Sequence, residues 1–249
     1  MDGIPLQNSI VYGPVESRRL GRSLGINLSP RSNKACSFDC IYCQYGPTQE
    51  HTTHYDEENV PDPSEVFTNL RSRLGLSVLD PDVITFSGNG EPTLHPDFPE
   101  IVDGVKEIRD EESTADIAVL TNASRVNDEE VRDALNRVDK PILKLDGGTA
   151  EKFEEINRPT ETDYGEMVEA MKEVERPTLQ SLKFRGEDEN MGTDLDEWMN
   201  VVEEIAPEKV QLYSLDRPAH ADLERVEGGE LREVGQALEK RGVDVEIIV

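Results

Sequence analysis

Six short apolar runs rich in β-branched residues recur along the chain: Gly25-Ile26-Asn27-Leu28, Val83-Ile84-Thr85-Phe86, Ile117-Ala118-Val119-Leu120, Ile142-Leu143-Lys144-Leu145, Leu179 to Phe184, and Val210-Gln211-Leu212-Tyr213. Each is short enough for a strand buried on both faces, as strands of a parallel sheet are. Between them apolar residues return at intervals of three and four: Phe98, Ile101, Val102, Val105 and Ile108; Val131, Leu135 and Val138; Met167, Val168, Met171 and Val174. That spacing lines one face of a helix. Strand alternating with helix builds an α/β parallel sheet with helical crossovers. Six strands, where a closed barrel has eight, predict an open, TIM-like partial barrel, (β/α)6, with its helices outside. Asp62-Pro63 and Asn127 stand at expected helix starts, where a side-chain oxygen accepts free first-turn amides and a proline at the first helical position does no harm. Residues 220–249 predict a C-terminal helix, with an edge strand over Val243 to Val249. No long linker, repeat or low-complexity tract divides the sequence, so residues 1–249 read as one domain able to bury a sizeable core.

In such architectures the polar site forms at the carboxyl ends of the strands, where loops diverge from a rigid scaffold. The chemistry-bearing residues follow the runs in order. A cysteine loop comes after the first, Ser87-Gly88-Asn89-Gly90-Glu91 after the second and Thr121-Asn122 after the third. Asp146-Gly147-Gly148, Arg185 and Tyr213-Ser214 follow the remaining three.

All three cysteines of the chain fall within Cys36-Ser37-Phe38-Asp39-Cys40-Ile41-Tyr42-Cys43. A four-iron, four-sulfur cube is normally held by four thiolates, so three leave one iron open for chemistry. Structural zinc is an arithmetical alternative, with His51 or His54 as a fourth ligand, although zinc sites usually show two ligand pairs. Three unliganded core cysteines are the other alternative. Disulfide pairing is disfavoured by the odd count and by the lack of a secretory pattern over residues 1–30, and a reducing cytoplasm fits.

The Cys-x3-Cys-x2-Cys motif, with Tyr42 before its third cysteine, resembles the cluster motif of the radical S-adenosylmethionine (SAM) superfamily. The resemblance implies a partial barrel and a radical SAM enzyme. In that superfamily Cys36, Cys40 and Cys43 would hold a [4Fe-4S] cluster, and the amino and carboxylate groups of SAM would chelate its open iron. Reductive cleavage of SAM would then start radical chemistry on a substrate that the motifs do not name. Val11-Tyr12-Gly13-Pro14, Ser17-Arg18-Arg19-Leu20-Gly21-Arg22-Ser23-Leu24-Gly25-Ile26-Asn27, Ser87 to His95, Leu120-Thr121-Asn122, Ile156-Asn157-Arg158-Pro159 and Leu215-Asp216-Arg217-Pro218 are similar to a group related to wyosine-type tRNA-modifying synthases. The family-like stretch runs from about Val11 to Ala219.

By that resemblance Gly88, Asn89, Gly90 and Glu91 grip the methionine ammonium group of SAM. Asn89 stands where the family pattern usually has a second adjacent glycine, and asparagine tolerates the left-handed region. Tyr42 lies beside the adenine. Asn122 and Asp146 are candidates for the ribose hydroxyls or the methionine carboxylate, by position and hydrogen-bonding capacity. Arg185 is a candidate counter-ion for that carboxylate. No residue is assigned a catalytic role, and the resemblance implies a one-electron donor of the ferredoxin or flavodoxin type.

Charge bears on the partners. Asp plus Glu number 53 against 26 Lys plus Arg, a net charge of −27. Such a surface repels a polyanion, so tRNA is disfavoured although it remains the named alternative substrate. Wyosine-forming synthases carry extra cysteines for a second cluster, and this chain has none. Adaptation to a salty cytoplasm is the other reading of the acid, since at about 1 M salt the screening length falls to roughly 3 Å. A non-catalytic iron–sulfur electron carrier is the alternative from another class, though carriers tie every iron to protein. Arg18, Arg19 and Arg22 form the compact basic group ahead of the cysteines and read as anion contacts or a solvated arm, while Lys144 and Arg217 read as substrate ligands or ion-pair partners. His51 and His54 read as surface residues. No apolar run approaches the ~20 residues of a membrane-spanning helix.

Overall fold

The apolar runs pair side by side into one curled sheet. The computed structural model describes residues 4–76, 80–186, 194–216 and 221–249. Its strands are β1 (Val11–Ser17), β2 (Gly21–Ile26), β3 (Ala35–Cys36), β4 (Glu50–His51), β5 (Val83–Phe86), β6 (Asp116–Thr121), β7 (Lys140–Lys144), β8 (Thr178–Arg185), β9 (Lys209–Ser214), β10 (Glu224–Arg225) and β11 (Val245–Ile248). The helices are α1 (Pro63–Leu74), α2 (Phe98–Glu112), α3 (Glu129–Asn136), α4 (Ala150–Asn157), α5 (Tyr164–Met171), α6 (Leu195–Ile205) and α7 (Gly228–Glu239).

The six predicted runs are β2, β5, β6, β7, β8 and β9, neighbours in that order and all parallel. They form a curled half-barrel, extended by β11 parallel to β9 and by β1 antiparallel to β2. The pattern missed β1 for a physical reason. Pro14, Val15 and Glu16 are exposed and its pairing shifts between Tyr12 and Val15, so it has no buried alternation to read. Proline is tolerated there because the strand is an edge.

The two faces of each central strand differ. Ile84, Phe86, Ile117, Val119, Leu143, Leu179, Val210 and Leu212 point to the helices and share the main core with Phe98, Ile101, Val102 and Val105 of α2. The alternate positions face the barrel interior with a smaller apolar cluster of Val83, Ala118 and Ile142, against which Leu20 and Leu120 pack. Polar pairs share that interior, Ser23 with Thr85 at 2.7 Å and Gln180 to Gln211 at 2.9 Å. Small and polar residues on the inner face leave space for a cavity.

Local capping follows the expected chemistry, with one displacement. Asp62 caps α1 in a capping box with Glu65, and Pro63 is its first residue. The cap of α3 is Asp128 rather than Asn127, its carboxylate accepting from the Glu130 amide. Thr149 caps α4, which ends at Asn157 where Arg158 turns left-handed at φ 46°.

Candidate functional site

The cysteine loop is built by turns and then clamped. The Cys43 amide donates to the Cys40 carbonyl at 3.0 Å and the Gly46 amide to the Cys43 carbonyl at 3.1 Å. Lys34, buried, reaches across the loop to donate to the Gly46 carbonyl at 2.7 Å. From the other side the Asp39 amide donates to the Asn157 carbonyl (3.0 Å), the Ile41 amide to the Ile156 carbonyl (3.0 Å) and the Thr160 amide to the Ser37 carbonyl (2.8 Å). The three thiols are unbridged, half-buried, and line one cavity with Lys34, Tyr42, Gly88 to Glu91, Asn122, Lys144 and Gln180. Its volume is about 190 Å³, and it opens to solvent.

Burial pushes the Cys40 thiol up to about 11, against the hydrogen bond from Asn157, and raises Cys36 further. Such thiols stay protonated until a cation replaces the proton, as metal ligands do on loading. Among the described residues no three His, Cys, Asp or Glu side chains converge as a single ion requires. His51 and His54 are exposed, and His51 Nδ1 faces Thr160 Oγ1 at 3.4 Å. Soft thiols spaced around a cavity suit a larger sulfur-bridged cage.

The segment after β5 makes the opposite wall. Gly88 has φ +151°, and a Cβ there would lie 2.2 Å from Asn27 Oδ1; a Cβ on Gly90 would lie 2.0 Å from the Ala35 carbonyl. Both glycines are thus demanded by close approach. Asn89 departs from expectation. It is not left-handed, and its side chain is an anchor: Oδ1 accepts from the Gln7 amide at 2.6 Å, and Nδ2 donates to the Gln7 and Pro30 carbonyls at 3.0 Å each. Only its backbone is placed to meet a ligand.

Glu91 is buried. Its Oε1 accepts from the Thr93 amide (3.1 Å), Thr93 Oγ1 (2.7 Å) and Thr121 Oγ1 (2.7 Å), and Oε2 from the Asn122 amide (2.6 Å). Burial raises its carboxyl above the ordinary range, with these donors opposing. Among the described residues no cation pairs with it. A bound ammonium would find an uncompensated carboxylate here.

Asn122 serves the cysteine loop: Nδ2 donates to Ser37 Oγ at 2.9 Å and lies 3.7 Å from Cys36 Sγ. Tyr42 lines the cavity with its hydroxyl donating to Asp146 Oδ2 at 2.6 Å. Two expectations are corrected. Asp146 has no exposed side-chain surface and does not line the cavity. Its oxygens are taken by Lys144 Nζ (2.6 Å), the Leu182 amide (2.9 Å), Asn157 Nδ2 (3.2 Å) and Tyr42. Burial alone would raise this carboxyl, but the Lys144 ammonium and the remaining donors hold it below the usual range. Asp146 is a support under the site, too deep to reach a ribose or a carboxylate. Arg185, at the end of β8, pairs with Glu230 of α7 and also lies off the cavity, because α7 supplies the acid its guanidinium faces.

Among the remaining basic residues, Arg18 pairs with Asp216 at 3.2 Å, and Arg22 with Asp80 and Asp82. Arg19 donates to Gln180 Oε1 at 3.2 Å and lies 4.7 Å from the Tyr213 ring centroid. Lys144 is an ion-pair partner and is flanked by the Tyr42 and Tyr213 rings at 5.0 and 4.9 Å. Arg217 lies outside the described residues. Sequence reasoning missed the roles of Lys34, Tyr55 and Asn157. Tyr55 accepts from the Glu91 amide at 3.0 Å and donates to the Ala35 carbonyl at 3.0 Å, tying the two walls together. Asn157 had a signal, a polar residue directly before Arg-Pro in a family-like segment, but nothing in the pattern pointed it at a cysteine.

Comparisons with known proteins bear on this arrangement. The sequence profile of the Radical SAM superfamily matches residues 32–199, more than half of the chain. A protein of Brachyspira hyodysenteriae named GTPase Obg is 35% identical over 223 residues, covering 85% of this chain and 31% of that protein. UPF0026 proteins of Synechocystis sp. and Methanocaldococcus jannaschii are 41% and 37% identical, over 60% and 61% of this chain and 52% and 44% of their own lengths. The chain therefore spans about a third to about half of the length of these three relatives. Of solved structures, TYW1 with a lysine-pyruvate adduct bound matches with a TM-score of 0.61 at 17% identity, over 88% of this chain and 73% of that one. A radical SAM methyltransferase from Sphaerobacter thermophilus matches with 0.62 at 17% identity, over 90% and 66%. At that identity the likeness speaks for the fold alone.

Proposed function

We propose, since this chain belongs to the radical SAM superfamily and is a radical SAM enzyme, that Cys36, Cys40 and Cys43 hold its [4Fe-4S] cluster and that SAM lies between them and the Gly88–Glu91 turn. Cys36, Cys40 and Cys43 would hold the cluster, which when bound would supply the electron for reductive cleavage of SAM. The residues around it bind and exclude water. Glu91 presents a buried carboxylate that no cation among the described residues meets, suited to the SAM ammonium group, and Gly88 and Gly90 let the backbone of that turn approach closely. Tyr42, its hydroxyl locked on Asp146, gives a rigid aromatic edge for the adenine. Asn122 steadies the cysteine loop at Ser37. One observation carries this reading: three unbridged thiols and the Gly88–Glu91 turn face a single cavity.

The substrate is left to the open side of that cavity. An amine adduct at Lys144, of the kind named for the TYW1 structure, is not supported. Lys144 is bonded to Asp146 at 2.6 Å; although burial opposes its charge, that carboxylate keeps it protonated, whereas a nucleophilic amine must be neutral. At low salt the acidic surface disfavours tRNA; read instead as adaptation to a salty cytoplasm, a compartment that also suits unbridged cysteines, it says little about the substrate. A ferredoxin- or flavodoxin-type carrier is the expected electron donor. Among the described residues no helix is long and apolar enough to cross a membrane.

The test is anaerobic reconstitution with iron and sulfide, followed by dithionite and SAM. Formation of 5′-deoxyadenosine is expected. Its persistent absence with an intact cluster would turn the reading to an electron carrier, and recovery of one zinc ion per chain would end it.

A further inference from the structure

The segment Ile156-Asn157-Arg158-Pro159 has no task in cofactor binding as described so far, yet Asn157 is among the most buried polar residues, 2% exposed. It ends α4, and the backbone there runs along the cysteine loop. The Asp39 and Ile41 amides donate to the carbonyls of Asn157 and Ile156. Cys40 lies between those two clamped residues, so its sulfur is carried to the Asn157 side chain. Nδ2 is 3.3 Å from Cys40 Sγ and 3.2 Å from both the Tyr42 hydroxyl oxygen and Asp146 Oδ2.

The direction of the hydrogen bond to sulfur follows from the neighbours. An amide side chain has an oxygen end and an NH₂ end, and which end faces a partner is decided by the partner's chemistry. Asp146 is a carboxylate held ionised by Lys144, so it only accepts, and the Tyr42 hydroxyl spends its proton on the same carboxylate. A flipped amide would set its oxygen against the carboxylate, the hydroxyl oxygen and the sulfur together. The NH₂ end must therefore face all three.

An N–H group donating to a ligating sulfur draws charge from the thiolate and favours the more negative, reduced form of the cluster. We propose that Asn157 sets the reduction potential of the cluster by donating to Cys40 Sγ, in an orientation locked by Asp146 and Lys144. This rests on the reading of Cys36, Cys40 and Cys43 as cluster ligands. Asn157 is a positioning residue, acting through Cys40 and not on SAM or substrate.

The experiment is a redox titration of the reconstituted protein followed by electron paramagnetic resonance, with dithionite as the one-electron donor. The cluster gains one electron and no bond forms or breaks. Asn157→Leu keeps the branched shape and removes the donor. At a fixed potential its ratio of reduced to oxidised cluster is expected to fall about tenfold, a midpoint more negative by about 59 mV for a one-electron couple. Asn122→Ala, which removes an amide 3.7 Å from Cys36 Sγ, is expected to shift it less. An unchanged midpoint in Asn157→Leu with full iron content would overturn the proposal. If Asn157→Leu does not load the cluster, Asn157→Ala, which likewise lacks a donor, is titrated instead, and a wild-type midpoint there overturns it equally. If single cysteine variants retain the full wild-type cluster, it is the ligand assignment that fails.

Discussion

Lys183 shows how strongly a single side chain here can be set by its surroundings. It is wholly buried on the helix side of β8, with Nζ 3.1 Å from the Asp146 carbonyl and 3.7 Å from the centroid of the Trp198 ring. Burial pushes its pKa down to about 7, while the indole face and Asp146 oppose this. Lysine in an unfolded chain titrates near ~10.4. Between about pH 7 and that value the unfolded chain holds a proton the folded one lacks, so stability rises with pH through this window and is flat below it. Lys183→Met is expected to flatten the slope and raise Tm at neutral pH, and thermal melts across the window in both proteins check this; parallel slopes would contradict it. Residue roles were only partly legible in the sequence. The cysteines, Gly90 and Glu91, singled out by type and spacing, do line one cavity. The places of Asp146 and Arg185 were not legible, since their partners Asn157 and Glu230 are fixed by packing between elements.

At the scale of elements, α4 and β3 are the pieces that hold the cysteine loop in place. The Thr149 side chain caps α4 by accepting from the Lys152 amide at 3.2 Å. Thr149→Ala is expected to cost about 1 kcal/mol, a fall in Tm of roughly 2–4 °C for a chain of this size. Calorimetry measures it, and an unchanged Tm would show the cap to be idle. Gly90→Ala acts on β3. The new Cβ would meet the Ala35 carbonyl one residue before Cys36, so the loop must shift. Lower iron content after reconstitution is expected, with far-ultraviolet circular dichroism retained. Equal iron in variant and wild type would remove this contact from the argument. Element type was legible wherever period and burial coincide, as in α2 and the six central strands. It was not legible in β1, whose exposed edge carries no periodic burial, nor for the one-residue choice between Asn127 and Asp128, where both residues are good caps.

For the whole molecule the dominant fact is charge. The ion pairs described engage a fraction of 53 acidic residues, and the excess has no cation to meet. Self-repulsion of that kind is muted when salt shortens the screening length to a few ångströms. Thermal stability is therefore expected to rise steeply with potassium chloride, and a flat response would redirect attention to a cationic partner. The linear sequence settled the order of strands and helices, the loops after the strands and the three thiols. These depend on local period, on steric rules for chain crossover and on residue chemistry that travels with the residue. Tertiary structure alone decided that Asp146 lies beneath the site, that Arg185 turns to α7, and that Asn157, 117 positions from Cys40, points its amide at that sulfur. Contacts between side chains so distant in sequence are set by how curled strands and packed helices bring their ends together, and no local pattern encodes that geometry.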